Sequence, residues 1–509
     1  EVCMKKILSM SLILTFIISS SLLVSCSNND TWQKGDIQNH PKNNLISMQK
    51  VQNERADNIK YGKDIYGIVD LKATKVDSQY LNRLSLSDLN DFMNFDDLTE
   101  WPKYLPKGFD PQRLIEEGKE KLEIVSNLAR RMVAKAGLSI KIYDTLDRRE
   151  ALKDADFVTT QLRVGTMKAR IKDERIPLSH GVIGQETNGA GGLFKALRTI
   201  PVILDIIRDV EELCPSAWII NFTNPAGIIT EAVLNYTSFN RFLGLCNVPI
   251  NMKFGVAELL KVERDRVEVD FAGLNHMVYG LKAKLDGVDV TEEVVERLAE
   301  SSMTMQNIKD LPFNADFIRA LGIIPCPYHK YYYKTKDMLE SELEEFKEGK
   351  VRGQVVEALE ADLFELYKDE TLDVKPPQLE QRGGAYYSDA ACNLISSIYN
   401  DKHDIQVVNT RNNGTIKNFK DNNAIEVSCV ITKDGARPMS VGYLPEGISG
   451  LVSQIKDFEV LAARAAVNSS YRDALKALWI NPLIPSDDLA KVILDEMLEA
   501  HKEHLGDFK

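Results

Sequence analysis

Cys246 and His276 stand thirty positions apart, each where an apolar run ends, in Gly244-Leu245-Cys246-Asn247-Val248-Pro249 and Gly273-Leu274-Asn275-His276-Met277. A thiolate and an imidazole can ligate a transition metal, but two ligands are an incomplete set. Ligand oxygens and water would fill the remaining positions, an open arrangement that suits catalysis better than structure. By spacing alone, a buried cysteine and a structural histidine are the commoner account of such a pair. Downstream, Cys326-Pro327-Tyr328-His329-Lys330-Tyr331-Tyr332-Tyr333 packs four tyrosines into six positions. A tyrosine acts as a base when a nearby cation lowers its pKa, whereas an aromatic cluster also serves as core packing or as a wall for a sugar. Arg163, Arg170 and Arg352 are candidate phosphate clamps, because guanidinium binds phosphate through paired hydrogen bonds; unsupported, each is a surface arginine.

Two further segments offer backbone and amide donors. Gly184-Gln185-Glu186-Thr187-Asn188-Gly189-Ala190-Gly191-Gly192 runs into a helical pattern that begins at Leu193, and glycines at a helix start let N–H groups approach an anion. The spacing is not a dinucleotide fingerprint, no G-x-G-x-x-G occurs in the chain, and a flexible turn would read the same way. Asn221-Phe222-Thr223-Asn224-Pro225-Ala226-Gly227 lies where an apolar strand gives way to a helix, the edge at which parallel-sheet enzymes bind ligands. Asn224 is placed to hydrogen-bond a substrate, and the same residues form a helix cap with Pro225 at the first helical position.

These residues need elements to hold them. Beyond Gly118, helical and strand-like patterns alternate, the signature of crossover units building a parallel sheet. Strands are predicted at Ser139 to Tyr143, Phe157 to Gln161, Ala217 to Phe222 and Phe242 to Cys246. Helices are predicted at Lys119 to Ala136, Arg148 to Ala155, Leu193 to Leu213 and Ala226 to Leu234. From about Leu281 the pattern changes to charge-rich helices, Lys336 to Lys347 and Gly353 to Tyr367, with a strand near Ala424 to Thr432. The predicted fold is α/β: a Rossmann-like domain of the lactate/malate dehydrogenase type over 118–280, without its first strands, followed by an α+β domain over 281–509.

Composition narrows the function classes. A net charge of -12 over 509 residues argues against nucleic acid as a partner, since phosphate-backbone binding needs a dominant basic face. Seven widely spaced cysteines fit isolated thiols better than a disulfide framework. The N-terminus differs from the rest. Lys5 and Lys6 precede an apolar run from Ile7 to Val24, and Leu23-Val24-Ser25-Cys26 has the form of a lipobox, so 1–26 resembles a bacterial lipoprotein signal with Cys26 as acylation site and possible membrane anchor. A single membrane-spanning helix is the alternative, but the run barely reaches the length of a bilayer core. Residues 27–117 read as a polar spacer or an unrelated segment.

Taken together, the segments from Thr160-Gln161-Leu162-Arg163-Val164-Gly165 to Arg382-Gly383-Gly384-Ala385-Tyr386-Tyr387-Ser388 resemble family 4 glycoside hydrolases over nearly four hundred residues, most of all their 6-phospho-β-glucosidase branch. In the α-specific branch an acid usually follows the metal-binding cysteine, and here Asn247 does. The resemblance implies that Cys246 and His276 hold a divalent metal, usually manganese. It implies that Arg170, Asn224 and Arg352 contact the sugar phosphate, and that Tyr332 is the catalytic base, with Tyr331 and Tyr333 as its rivals. It also implies a mechanism without the usual carboxylate pair. NAD takes hydride from C3 of a phosphorylated disaccharide, Tyr332 removes the acidified C2 proton, the C1 oxygen is eliminated, water adds, and NADH returns its hydride. Family members often form dimers or tetramers.

The unit with which family members hold NAD, a strand, a glycine-rich turn and a second strand ending in an acid, is not found, so the cofactor-binding residues are unassigned and the sheet is expected to lack its central first strand. Two other readings follow: an inactive lipoprotein that keeps the hydrolase-like domain as a binding surface, and an NAD-dependent dehydrogenase of related fold, against which the Cys246 and His276 pair argues. NAD and sugar phosphates place the hydrolase portion in the cytoplasm, whereas a functional leader would make the chain a membrane-anchored lipoprotein.

Overall fold

The computed structural model describes the strand Val24–Cys26 and residues 111–509, save 302–304, 306–307 and 383–385. The rest of the leader, the Cys26 side chain and the spacer up to residue 110 lie outside the described residues.

The hydrophobic alternation resolves into one eleven-stranded sheet. Its parallel part joins Phe157–Thr160, Trp218–Asn221 and Phe242–Gly244, with Phe157 opposite Trp218 and Ile219 opposite Phe242. Each of these short strands is buried along its whole length, as expected when helices cover both faces of a parallel sheet. The remaining strands are antiparallel. Gly244 pairs with Asn409 of Ile405–Arg411, followed in order by Ala424–Thr432, Val267–Leu274 and Met277–Leu285. A Rossmann-like half and an α+β half thus share one continuous sheet.

One face is covered by the Gly189–Leu213, Ala226–Tyr236 and Glu446–Asn468 helices, whose Leu193, Ile200, Ile229, Val233, Phe458 and Ala462 are fully buried. The other face packs Ile220, Phe222, Leu245, Val427 and Ile431 against the Tyr387–Asn400 helix. A third cluster, which includes Cys246, Cys326, Tyr328 and Tyr331, fills the space under Val248–Leu260 and the hairpin of Val267–Leu274 with Met277–Leu285.

Two expectations are corrected. Ser139 to Tyr143 forms no strand. Leu138, Ile140 and Ile142 do lean together on Ala129 and Val133 of the Pro111–Lys135 helix, so the alternation was real, but among the described residues no strand lies beside the segment to complete a ladder. At the edge of Phe157–Thr160, where a first strand would stand, the sheet instead carries the three-residue Val24–Cys26, antiparallel. The second correction concerns the glycine cluster, of which Gly189 to Gly192 are not a turn but the first turn of the Gly189–Leu213 helix. Among the described residues no helix is long and apolar enough to cross a membrane.

Candidate active site

The carboxyl ends of the three parallel strands carry the site. Trp218–Asn221 leads into Asn224, whose Oδ1 accepts weakly from the Ala226 amide at 3.4 Å, so Asn224 caps the Ala226–Tyr236 helix while Pro225 takes the N-cap position instead of the first helical one. The Asn224 side chain also donates to the Tyr387 hydroxyl. Phe242–Gly244 leads into Cys246, which is 3% exposed. Burial and then Glu426 push its thiol well up, against the Val248 amide and the Asn275 side chain, which hydrogen-bond to it.

Asn275 is the chain neighbour of His276, which turns the corner between Val267–Leu274 and Met277–Leu285 with a φ of 61°. The imidazole stacks on Tyr328 at 3.8 Å, and its Nδ1 lies 3.1 Å from Thr187 Oγ1. That hydroxyl donates to Gln185 Oε1 at 2.9 Å, so Nδ1 must carry the proton, and the Nε2 lone pair is the one left for an electrophile. Burial and then Lys195 lower the His276 pKa to about 3, against Glu186, which keeps the ring neutral. The Cys326 thiol lies 3.5 Å from the His276 carbonyl oxygen, and each of Cys246 and Cys326 feels the charge of Glu426. A soft thiol and an unprotonated imidazole nitrogen in one neighbourhood suit a divalent transition metal; among the described residues no group of three or more acids, histidines and cysteines gathers to hold one.

The tyrosine run forms the short helix Lys330–Tyr333, and its three rings face different surroundings. Tyr331 lies near Glu342, Tyr328, Glu174 and Arg170; Tyr332 near Cys326 and Glu459; and the Tyr333 hydroxyl is 2.9 Å from that of Tyr279. Burial holds the Tyr332 phenol above its ordinary range, so only a cation could turn it into a base.

A buried ionic cluster flanks this group. Glu186 receives Arg163 at 2.5 Å, Lys195 at 3.0 Å and Arg170 at 3.2 Å, and these three cations overcome its burial to hold its carboxyl well below the ordinary range. Burial works against the Arg170 charge, but Glu186 and Glu174 more than offset it. For Lys195, burial and then Arg163 bring the pKa down to about 7 despite Glu186. Burial and then Arg170 depress Arg352, whose Nη2 donates to the Gln381 carbonyl at 3.0 Å and whose Nε is buried with no hydrogen-bond partner among the described residues.

With this geometry in hand, the comparisons with known proteins are direct. Residues 112–262 match the model of the family 4 glycosyl hydrolases, and residues 271–484 match that of the family 4 glycosyl hydrolase C-terminal domain. The chain belongs to glycoside hydrolase family 4. Among family 4 relatives it is 64% identical over 396 residues to a probable 6-phospho-β-glucosidase of Bacillus subtilis, covering 77% of this chain and 90% of that one. It is 51% identical over 399 residues to the 6-phospho-β-glucosidase of Escherichia coli, covering 77% and 89%. A solved family 4 structure, the 6-phospho-β-glucosidase of Thermotoga maritima with manganese, NAD+ and glucose-6-phosphate, superposes with a TM-score of 0.68 at 35% identity, covering 76% of this chain and 90% of that one.

Of the residues singled out by the sequence, the fold links Cys246, His276 and Asn224 through Asn275 and Tyr387, sets Arg352 near Arg170, and sets Tyr332 near Cys326. Three neighbours escaped sequence reasoning. Glu186, Lys195 and Tyr387 all lie in segments that the resemblance rests on or adjoins. Lys195 offers a signal, being the first charge in an otherwise apolar and glycine-rich helix start. Tyr387, which feels the charges of both Cys246 and Glu186, joins the two halves of the site.

Proposed function

We infer that this chain hydrolyses 6-phospho-β-glucosides, such as a phosphorylated cellobiose, with NAD and a divalent metal such as manganese. What carries the reading is a thiol and an unprotonated imidazole nitrogen set beside a cluster of buried and partly buried cations in a family 4 chain. Bound NAD and metal would supply a transient oxidation of the sugar and a positive charge beside it.

The chain's own residues would do the rest. Cys246 and the His276 Nε2 would hold the metal. Gln161, whose Oε1 is buried with no partner among the described residues at the carboxyl end of Phe157–Thr160, offers an acceptor to the nucleotide. Arg170, Arg352 and Asn224 would fix the 6-phosphate, which orients the ring so that its C2 proton faces a base. Tyr332 is that base in our reading: Tyr333 is engaged with Tyr279, and Tyr331 lies on the Arg170 side, whereas Tyr332 shares the surroundings of Cys326. The charge beside the sugar would bring the Tyr332 phenol down into a useful range. We assign 118–280 to the Rossmann-like domain and 281–509 to the catalytic α+β domain, and place the hydrolase portion in the cytoplasm, as a homo-oligomer, where sugar phosphates and NAD are found.

The test is an assay with a chromogenic 6-phospho-β-glucoside, with and without NAD, manganese and reductant. Turnover that needs all three supports the reading. Tight sugar-phosphate binding with no turnover under any condition would instead favour a binding protein.

A further inference from the structure

Resting on the phosphate-binding reading above, we propose that Glu174 is a positioning residue that fixes the spacing between Arg170 and Arg352. The carboxylate is 3% exposed and spends one oxygen on each side of the subsite. Its Oε1 accepts from Arg170 Nε at 2.7 Å, one turn away on the Thr166–Ser179 helix. Its Oε2 accepts from the Gly353 amide at 2.6 Å, and Gly353 directly follows Arg352 at the start of the Arg352–Lys368 helix. A single rigid group therefore ties the two arginines, which are 182 positions apart in the chain, into one frame.

The frame is needed because the arginines oppose each other. Arg170 is among the charges that depress Arg352, so without a shared anchor their repulsion would spread them. Glu174 leaves each guanidinium with nitrogens for a ligand: Glu174 and Glu186 engage Nε and Nη1 of Arg170, and the Arg352 Nε has no hydrogen-bond partner among the described residues. The contact also explains Gly353. A Cβ there would lie 3.0 Å from Glu174 Oε2 and 3.0 Å from Ile171 Cγ1, so an added methyl would have to shift the carboxylate or Ile171 by a few tenths of an ångström.

Two variants test the frame by different routes. In Glu174→Gln the new amide can accept from only one of two N–H donors, and it removes a negative charge. If charge alone mattered, the substitution would tighten anion binding; the frame predicts that it weakens it. Gly353→Ala disturbs the same contact with no change of charge. For both, we expect the dissociation constant for glucose 6-phosphate, measured by calorimetry, and the KM for a 6-phospho-β-glucoside to rise about ten-fold or more, with kcat falling by no more than about three-fold and Mn2+ affinity unchanged. Wild-type protein that fails to bind glucose 6-phosphate would overturn the phosphate reading and the frame with it. Wild-type protein that binds while either folded variant binds equally well or more tightly would overturn the frame alone.

Discussion

Lys456 is the point at which the sheet, the helix after Asn224 and the C-terminal helices are joined by charge, and its replacement by methionine has a calculable consequence. The ammonium group is buried and donates to Glu231 Oε2 at 3.0 Å and to Glu459. Glu231 keeps other donors without it: Asn235 at 3.0 Å, Asn423 at 3.1 Å and the Ala424 amide at 2.7 Å. Glu459 is 4% exposed and relies on Lys456, so Lys456→Met strands one carboxylate in the core. Removing one partner of a buried pair typically costs about 3–5 kcal/mol. At pH 8 we therefore expect a loss of about 4 kcal/mol, close to three powers of ten in the folding equilibrium constant. The loss must shrink in acid. Burial already raises the Glu459 pKa against the pull of Lys456, and without the lysine it rises further. A carboxyl whose folded pKa is raised contributes fully below its unfolded value and loses that contribution as pH climbs through the folded one. The penalty should thus be smaller at pH 5 than at pH 8, and Lys456→Met with Glu459→Gln should recover most of it. Urea unfolding followed by tryptophan fluorescence at both pH values measures this. A cost below about 1 kcal/mol at pH 8, as for an exposed pair, or an equal cost at both pH values would refute the reasoning.

Glu426 is fully buried, with Asn409 at 2.7 Å and Asn275 at 3.3 Å on one oxygen and nothing on the other, and burial lifts its pKa to about 7. Its folded value lies above 4.5, so stability should fall as pH rises toward and through 7, and Glu426→Gln should remove about 3 kcal/mol of that decline between pH 5 and 8, read from urea midpoints. Tyr332→Phe should lower kcat on a 6-phospho-β-glucoside by about a hundred-fold or more, whereas Tyr333→Phe, which loses only the bond to Tyr279, should change it by no more than a few fold. Chelation should abolish turnover and Mn2+ restore it, and Cys246→Ser should weaken Mn2+ binding, followed by titration, by about a hundred-fold or more.

The sequence was most readable where local pattern and tertiary role agree. Ala424–Thr432 emerges with the expected bounds because its apolar run is buried along nearly its whole length. The Gly189–Leu213 helix was misjudged by one turn because glycines score as breakers, although here they answer a packing need: a Cβ at Gly191 or Gly192 would lie 2.4 or 2.5 Å from the carbonyl oxygens of Gln185 and Thr187, over which the loop doubles back. Ser139 to Tyr143 carried a true strand pattern, yet a strand is defined by its neighbour, which no local signal supplies. Glu186 and Lys195 escaped for a similar reason. A charged residue in a sequence reads as solvated until the fold encloses it, and only the enclosure reveals that Arg163, Arg170 and Lys195 share one carboxylate.

That shared carboxylate bears on the substrate. Arg163, Arg170, Lys195 and Arg352 stand near one another with Glu186 and Glu174 as their acidic neighbours; burial raises the Glu174 carboxyl, and the next acid, Glu342, has its pKa lifted to about 8 by burial. In a chain of net charge -12 this corner is positive. Enclosed charge is costly unless compensated: burial first, and then a neighbouring guanidinium, depress both Arg352 and Lys195. A dianion brought to the corner would relieve that cost and favour the protonated form of Lys195, whereas an unphosphorylated sugar would leave it standing. Discrimination for a phosphorylated glucoside therefore need not come only from fit around the sugar ring; the cluster of cations built into the fold favours an anionic ligand over a neutral one.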